Sequence, residues 1–379
     1  MIALTHEQED FVAAVRDFCA RECGTREQRD ALTDGGKHPH NQALYAQMAE
    51  LGWLGVATPE AYGGAGGGLV DMCLFLEETA RGMAPIGGFG VSAIVGGAYE
   101  RFGTEEQKRE ILGGIIGGSV EAIAMSEPEA GSDVGALKCR AERSDGGYVV
   151  NGQKTWISEA HLADHVLLVC RTDASGSKHE GMTMLSVPTE AEGVEIRPIS
   201  TMGGEIVNDV FYTDCHVDAD RLLGVEGQGW VQLMAGLNVE RLILAALMLG
   251  CAERAYDDLL TYVKVRKQFG RPIGSFQALK HRIADLATEI ECSRLLTYDV
   301  ASSVDAKPDA MFPREASMAK LKCTEVAKQV ALEGMQMMGG YGYASEYDME
   351  GHVRRALVST IYGGTSEIQR EIIAKTYGL

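Results

Sequence analysis

The nine cysteines of this 379-residue chain are odd in number and include no CxxC pair, which argues against a disulfide framework and against a zinc site of paired thiolates. Cys19 and Cys23, one helical turn apart with no histidine cluster beside them, read as small buried hydrophobes. Basic residues are in deficit: 35 Lys and Arg stand against 54 Asp and Glu, for a net charge of -19. That field repels phosphate backbones and anionic lipid, so neither nucleic acid nor a membrane is expected as a partner. Any anionic ligand would need Arg and Lys placed locally against it. The opening MIALTHEQEDF lacks the basic start and apolar run of a signal peptide, which makes the reducing cytoplasm the expected location. There is no internal repeat, and the one low-complexity tract, Tyr62 to Gly68 (YGGAGGG), lacks the Gly-Lys-Ser/Thr ending of a phosphate-binding loop and follows no strand. It reads as a plain loop.

What is present is an ordinary globular composition, 45% hydrophobic and 23% charged, in a chain long enough for two or three domains. One stretch organises the rest. Trp230 to Ala252, WVQLMAGLNVERLILAALMLGCA, holds only two charged side chains in 23 residues, Glu240 and Arg241, in the middle of an apolar helical pattern. A carboxylate in such surroundings costs several kcal/mol unless it is paired or protonated. A structural ion pair would account for it, as would an acid or base at work; a membrane span would place Gln232, Asn238, Glu240 and Arg241 where charge is most costly. The pattern is read as a buried helix carrying an acid or base.

The chain divides by texture into 1–120, 121–228 and 229–379. The first segment is helical, with capping-box spacing at Thr5/Gln8 and Thr104/Gln107 and helix-period runs over Asn41–Leu51 and Leu69–Arg81. From Glu121 short apolar or alternating runs appear between turn dipeptides: Tyr148–Val150, His165–Arg171, Met182–Val187, Val194–Ile199 and Val207–Val217, a small antiparallel β-domain. After Gly229 helical periodicity returns through Trp230–Lys264, Gln277–Val304, Pro313–Met338 and Ser366–Tyr377, the pattern of a C-terminal helical bundle. The expected fold is α+β in the order helical, β, helical.

Four segments concentrate chemistry. Ala124–Ser132 (AMSEPEAGS) forces a tight turn that exposes backbone N–H groups and two hydroxyls. Trp156-Ile157-Ser158 ends a hairpin with an aromatic wall, although an isolated Trp156 reads more simply as core. Gln336–Gly342 (QMMGGYG) is rich in glycine, and in Tyr362–Arg370 (YGGTSEIQR) the pair Gly363-Gly364 before Thr365 and Ser366 marks a capped helix start able to hold an anion. Arg266-Lys267 at a helix end adds positive charge.

SEPEAGSD, NGQKTWIS, ERLILAA, RKQFGRPI with FQ, QMMGGYGY and GTSEIQR, in this order over essentially the whole chain, resemble the acyl-CoA dehydrogenase family. The resemblance implies an N-terminal helical domain, a middle antiparallel β-domain and a C-terminal four-helix bundle, with FAD held between the last two and a tetramer in which a neighbour completes each flavin site. Met125, Ser126, Gly131 and Ser132 would line the flavin and the thioester; Trp156, Ile157 and Ser158 would flank the isoalloxazine. Arg266, Phe269, Gln277, Gln336, Gly339 and Gly340 would hold the pyrophosphate and adenosine end across the subunit contact, and Thr365 and Glu367 would return to the flavin. Many members carry the catalytic glutamate immediately before the Gly-Thr of the last motif, where this chain has Gly363. The isovaleryl-CoA and long-chain branches carry it at the position of Glu240, the residue singled out above by its surroundings. The implied reaction is α,β-dehydrogenation of an acyl-CoA, with Glu240 taking the α-proton and Asn238, Arg241, Ser132, Tyr362, Gly363 and Gly364 around the substrate. The missing side chain at Gly363 is expected to leave space for a branched, bulky or long acyl group, bounded also by Tyr99 and Leu237. Electrons would pass to an electron-transferring flavoprotein. An acyl group on a carrier protein, or a non-catalytic subunit of a heteromeric complex, are the alternatives.

Overall fold

A computed structural model describes residues 3–308 and 310–379, except the side chains of Leu237 and Asn238. Six helices come first: α1 (His6–Cys23), α2 (Arg26–Thr33), α3 (Gln42–Glu50), α4 (Leu69–Arg81), α5 (Gly87–Phe102) and α6 (Glu105–Ile116). Eight strands follow: β1 (Glu121–Ala124), β2 (Arg140–Ser144), β3 (Gly147–Ser158), β4 (His165–Arg171), β5 (Met182–Pro188), β6 (Val194–Thr201), β7 (Gly204–Asp218) and β8 (Leu222–Leu223). Then come α7 (Gly229–Val265), a small hairpin of β9 (Lys267–Gln268) and β10 (Arg271–Pro272), α8 (Gln277–Ala306), α9 (Pro313–Met338), α10 (Gly340–Tyr343), α11 (Met349–Ser359) and α12 (Ser366–Lys375). The order is helical, β, helical, an α+β chain. The expected caps form: Thr5 and Thr104 each accept from the backbone N–H three residues on, while Gln8 and Gln107 reach back to the cap N–H.

Contacts gather the chain into two compact units. One comprises Thr33–Gly66 and Pro85–Leu237 and is built on the eight-stranded sheet, in the order β6-β7-β3-β2-β4-β5-β8 with β1 also on β4. Most pairings are antiparallel, as the turn dipeptides suggest; β1 with β4 and β2 with β4 are parallel. The β2–β3 hairpin lies between β1 and β4 in the chain and supplies the long crossover that a parallel pair needs. Over the sheet pack α5 and α6, so that Val95, Tyr99, Ile111 and Ile115 share a core with Leu137, Leu167, Val169 and Met184.

The other unit comprises Met1–Leu32, Gly67–Ala84 and Asn238–Leu379 and is helical. α9 packs on α8, α11 and α12, and α4 on α1 and α8. α7 is long and apolar enough to cross a membrane, but Leu242, Ile243, Ala245, Ala246, Leu249 and Leu259 on it are buried in protein. Two buried carboxylates of α4 are paired: Glu78 takes two hydrogen bonds from Arg16, each 2.6 Å, while Glu77 accepts 2.6 Å from the Tyr298 hydroxyl and pairs with Arg294, which also holds Glu253. Tight helix packing is permitted by Gly250 on α7, where an added Cβ would overlap the carbonyl oxygen of Glu77 on α4.

Gly250→Ala is therefore expected to lower stability by about 1–3 kcal/mol through overpacking. Gly113→Ala is its control, on an exposed face of α6 where a Cβ meets nothing within 4 Å; it should raise stability by up to about 1 kcal/mol. Urea unfolding of both variants decides.

Candidate active site

In the sheet-bearing unit the AMSEPEAGS turn is held by a buried ion pair. Lys154, fully buried on β3, donates 2.9 Å to the Met125 carbonyl and 2.9 Å to Glu127 Oε1. Glu127 in turn accepts from the backbone N–H groups of Lys138 (2.7 Å) and Cys139 (2.9 Å), so its buried charge is fully satisfied. The Thr155 N–H donates to the Ser126 carbonyl at 2.9 Å and ties the turn to the end of β3. This arrangement brings Met125 and Ser126, both half-buried, beside the strand that carries Trp156, Ile157 and Ser158, whereas Gly131 and Ser132 stand exposed at the far side of the turn.

At the end of β3 the register with β7 slips between Lys154 and Ile157, a bulge. Trp156 sits in it at φ +62°, a left-handed conformation that a bulky residue adopts only under constraint, and its indole is 60% exposed. The reading of Trp156 as a core residue is thus overturned: Ile157 on its neighbouring position is the buried one, and the bulge turns the indole outward. Ser158 is half-buried and pairs with Val207.

In the helical unit Glu240 is 8% exposed on α7. Burial raises its pKa above the ordinary carboxylate range, and the charges of Arg241 and Lys320 pull it partly back. Arg241 is buried beside it at 7% exposure. The structure brings Glu240 against the last motif: its Oε1 lies 3.5 Å from where a Cβ on Gly363 would stand. Gly363 and Gly364 both have positive φ, +59° and +79°, in the loop before Thr365, whose hydroxyl caps α12 by accepting from Ile368 N–H. Gln369, fully buried, donates 2.9 Å to the Gly363 carbonyl and 3.0 Å to that of Gly364. Among the described residues the Gly363 N–H donates to no carbonyl or side chain. Tyr362 is half-buried and its hydroxyl points to Met248 Sδ at 3.4 Å. Glu367 is exposed.

One expectation needs correction. The absent side chain at Gly363 does not leave open space, because a Cβ there would overlap Leu244 Cδ1. Leu244 lies one turn beyond Glu240 on the same face of α7, so the apolar wall and the carboxylate come from one helix. Tyr99 is fully buried in the core of the sheet-bearing unit. The side chains of Leu237 and Asn238 lie outside the described residues.

A separate open groove of about 760 Å³ in the helical unit brings together Arg266, Phe269, Gly339 and Gly340 with Tyr341 and Phe276. Arg266 stacks on Tyr341 at 5.2 Å, and Phe269, at the tip of the β9–β10 hairpin, is 94% exposed with φ +51°. A Cβ on Gly339 or Gly340 would meet nothing within 4 Å, so bare backbone faces the groove. Gln277 and Gln336 are exposed but do not line it.

Sequence reasoning missed Lys154, Glu127, Leu244, Gln369 and Lys320. The last is fully buried on α9, donates to the carbonyls of Ser359 (3.0 Å) and Gly364 (2.9 Å), and is pushed down to about 8 by burial. A signal was available: Ala316, Lys320, Cys323 and Ala327 fall at helix spacing, and all four are buried, so the lysine interrupts an apolar stripe.

Three family models match the chain in succession: acyl-CoA dehydrogenase N-terminal domain over residues 5–119, middle domain over 122–215 and C-terminal domain over 227–378. The chain is 36% identical to the mitochondrial 2-methylacyl-CoA dehydrogenase of Solanum tuberosum over 382 residues, 99% of this chain and 91% of that protein. The crystal structure of an acyl-CoA dehydrogenase from Geobacillus kaustophilus superposes with a TM-score of 0.93 at 34% identity, covering 99% of each chain. A glutaryl-CoA dehydrogenase from Mycobacterium smegmatis in complex with FADH2 superposes with a TM-score of 0.88 at 25% identity, covering 99% of this chain and 95% of that one.

The sign of the Glu240 shift sets a titration. A carboxyl whose pKa is raised stays protonated where an ordinary one has ionised, so the basic form appears only as pH rises above the usual carboxylate range. Infrared difference titration of the wild type against Glu240→Gln should find this carboxyl band, and Arg241→Met should move its midpoint to still higher pH. A band that ionises with the surface carboxylates would contradict the dry environment.

Proposed function

The chain belongs to the acyl-CoA dehydrogenase family, and from that premise we propose that it is an FAD-dependent enzyme that converts a saturated acyl-CoA to the trans-2-enoyl-CoA with Glu240 as the base. It is an oxidoreductase, and FAD is its cofactor. The single observation that carries the reading is the approach of Glu240 Oε1 to the bare backbone of Gly363 at 3.5 Å from its Cβ position. The side chain on α7 thus reaches the volume in which other members place a glutamate on the last motif.

The residues present fit the cofactor. The Trp156 indole is exposed and its backbone held at positive φ, and the bare backbone at Gly339-Gly340 faces a groove flanked by Arg266. In the sheet-bearing unit Met125, Ser126, Gly131, Ser132, Trp156, Ile157 and Ser158 are assigned to the flavin, with Ser132 also toward substrate. In the helical unit Arg266, Phe269, Gln277, Gln336, Gly339 and Gly340 are assigned to its pyrophosphate and adenosine end across a subunit contact, and Thr365 and Glu367 to the flavin from the last helix. When bound, FAD supplies the acceptor for the hydride that leaves the β-carbon.

The chain's own part is proton chemistry and charge. Glu240 removes the α-proton, and its raised basicity in a dry site suits the task. Enolate charge gathers on the thioester carbonyl oxygen, for which the Gly363 N–H is a donor with no acceptor among the described residues. Arg241 keeps the base from being neutralised by burial alone. Asn238, Tyr362 and Gly364 are assigned to the substrate's surroundings. Leu244 beside Gly363 presents an aliphatic wall that suits an apolar acyl group, and one relative of 36% identity is a 2-methylacyl-CoA dehydrogenase, which favours a branched one. The division into domains 1–120, 121–228 and 229–379, a homotetramer, a cytoplasmic location and an electron-transferring flavoprotein as acceptor complete the proposal.

Two measurements test it. Glu240→Gln should keep bound FAD but slow its bleaching by acyl-CoA about 10²–10⁴-fold; turnover within tenfold of wild type removes Glu240 from the role. A panel of straight and branched CoA thioesters, with the same acyl groups on acyl carrier protein, should give highest kcat/KM for branched CoA substrates. A clear preference for butyryl-CoA, or for the carrier protein, would overturn that part.

A further inference from the structure

Of the two cations that act on Glu240, Arg241 has a part in the mechanism above and the buried lysine of α9 has none. Its position is unusual for an ammonium: fully buried, with two backbone carbonyls as acceptors and the Tyr362 ring 5.9 Å away. One acceptor, Ser359, is the last residue of α11, where carbonyls lack helical partners and the dipole favours a cation; the other, Gly364, directly precedes the cap of α12. The ammonium therefore spans the mouth of the loop 360–364 from the inside. That loop contains two consecutive left-handed residues, Gly363 and Gly364, a backbone shape with little intrinsic preference to persist. Gln369 grips the same loop from α12 through the Gly363 and Gly364 carbonyls, so two buried donors fix a segment that carries no side chain at its functional point.

We propose that Lys320 is a positioning residue for the Glu240 chemistry: by tying Ser359 to Gly364 it holds the Gly363 backbone against the carboxylate, and it brings a positive charge within electrostatic reach of that base. The inference rests on Glu240 being the base. The charged and titratable groups around the ammonium are Glu240 and Arg241 on α7, Glu325 on α9, Glu367 at the start of α12 and the Tyr362 phenol in the loop. Glu240 and Arg241 act on it more strongly than the two surface carboxylates, and Lys320 in turn lowers the pKa of Glu240. A lysine retained there against the desolvation of its own charge is accounted for by what it fixes. Thr324, one turn on, satisfies its hydroxyl within α9 by donating to the Lys320 and Leu321 carbonyls.

The test uses the FAD-loaded full chain and two readouts. Lys320→Met is close in volume and keeps the stripe apolar, and Lys320→Arg keeps the charge should the methionine variant fold poorly. Hydrogen exchange of the amides in 359–366 should quicken in Lys320→Met by at least about tenfold, since local opening loses a pinning bond. In the same variant flavin reduction by saturating acyl-CoA should slow on the order of 10–100-fold, as expected for a displaced reacting group, with its acid limb moved to higher pH because a positive charge has left the base. Lys320→Arg should keep the acid limb where the wild type has it. Unchanged exchange together with an unchanged acid limb in Lys320→Met overturns the proposal. Rapid turnover by Glu240→Gln would instead sink the base assignment, a separate failure that leaves the loop-exchange result standing.

Discussion

The structure depends on keeping one carboxylate both dry and ionisable. Burial of Glu240 favours its neutral form, and an isolated charge there would cost more than the helix around it could offset. Two neighbouring cations change the balance, Arg241 on the same helix and Lys320 on α9, and each of them is itself desolvated. Removing either cation takes an attraction from the carboxylate, and removing Arg241 also relieves Lys320 of a repulsion, so the three groups form one electrostatic unit rather than a residue with accessories. The apolar helix is what makes that unit strong, because the same exclusion of water that penalises a lone charge also strengthens every interaction among paired ones.

Each unit uses the same device to shape a loop that must present backbone or a poorly packed side chain. In the sheet-bearing unit Lys154 grips the Met125 carbonyl and Glu127, fixing the turn beside a tryptophan in a strained conformation. In the helical unit Lys320 grips Ser359 and Gly364 beside two left-handed glycines. A lysine suits both places because its compact ammonium can satisfy several carbonyl oxygens at once while its stem fills apolar space. The strain at Trp156, and at Gly363 the surrender of a side chain, persist only because the neighbouring backbone is held from within.

Much of this was legible before any coordinates. α4 and α9 run over the residues that periodicity marked, β4 likewise, and the caps at Thr5 and Thr104 follow from spacing alone. α5 was harder, since five glycines in Gly87–Phe102 mask its helical period and its fixing force is tertiary, the burial of Phe89, Val95 and Tyr99. Glu240 stood out because charge is conspicuous in an apolar helix. Trp156 was misjudged for the complementary reason: whether an aromatic faces inward depends on strand register, and a one-residue bulge reverses it without any mark in the local composition. Leu244 carried no mark as a site residue, and the break Lys320 makes in an apolar stripe did not say what it holds, because both roles are set by what crosses in front of them, Gly363 and Gly364, far off in the sequence.

The geometry at Gly363 also leaves room for one carboxylate there and not two. A Cβ at that position would point at Leu244 Cδ1, with Glu240 Oε1 only 3.5 Å off. A glutamate placed there would have to displace the leucine and would bring a second carboxylate against the first, where like charges within a few ångströms drive one of the pair to stay protonated. A carboxylate on α7, a leucine one turn later and a glycine on the last loop therefore suit one another: a larger residue at the glycine meets the leucine, and a second carboxylate there meets the first. Under the proposed mechanism the acyl group packs against Leu244 while its α-carbon faces Glu240, so that one helix would carry both the chemistry and the shape of what is oxidised.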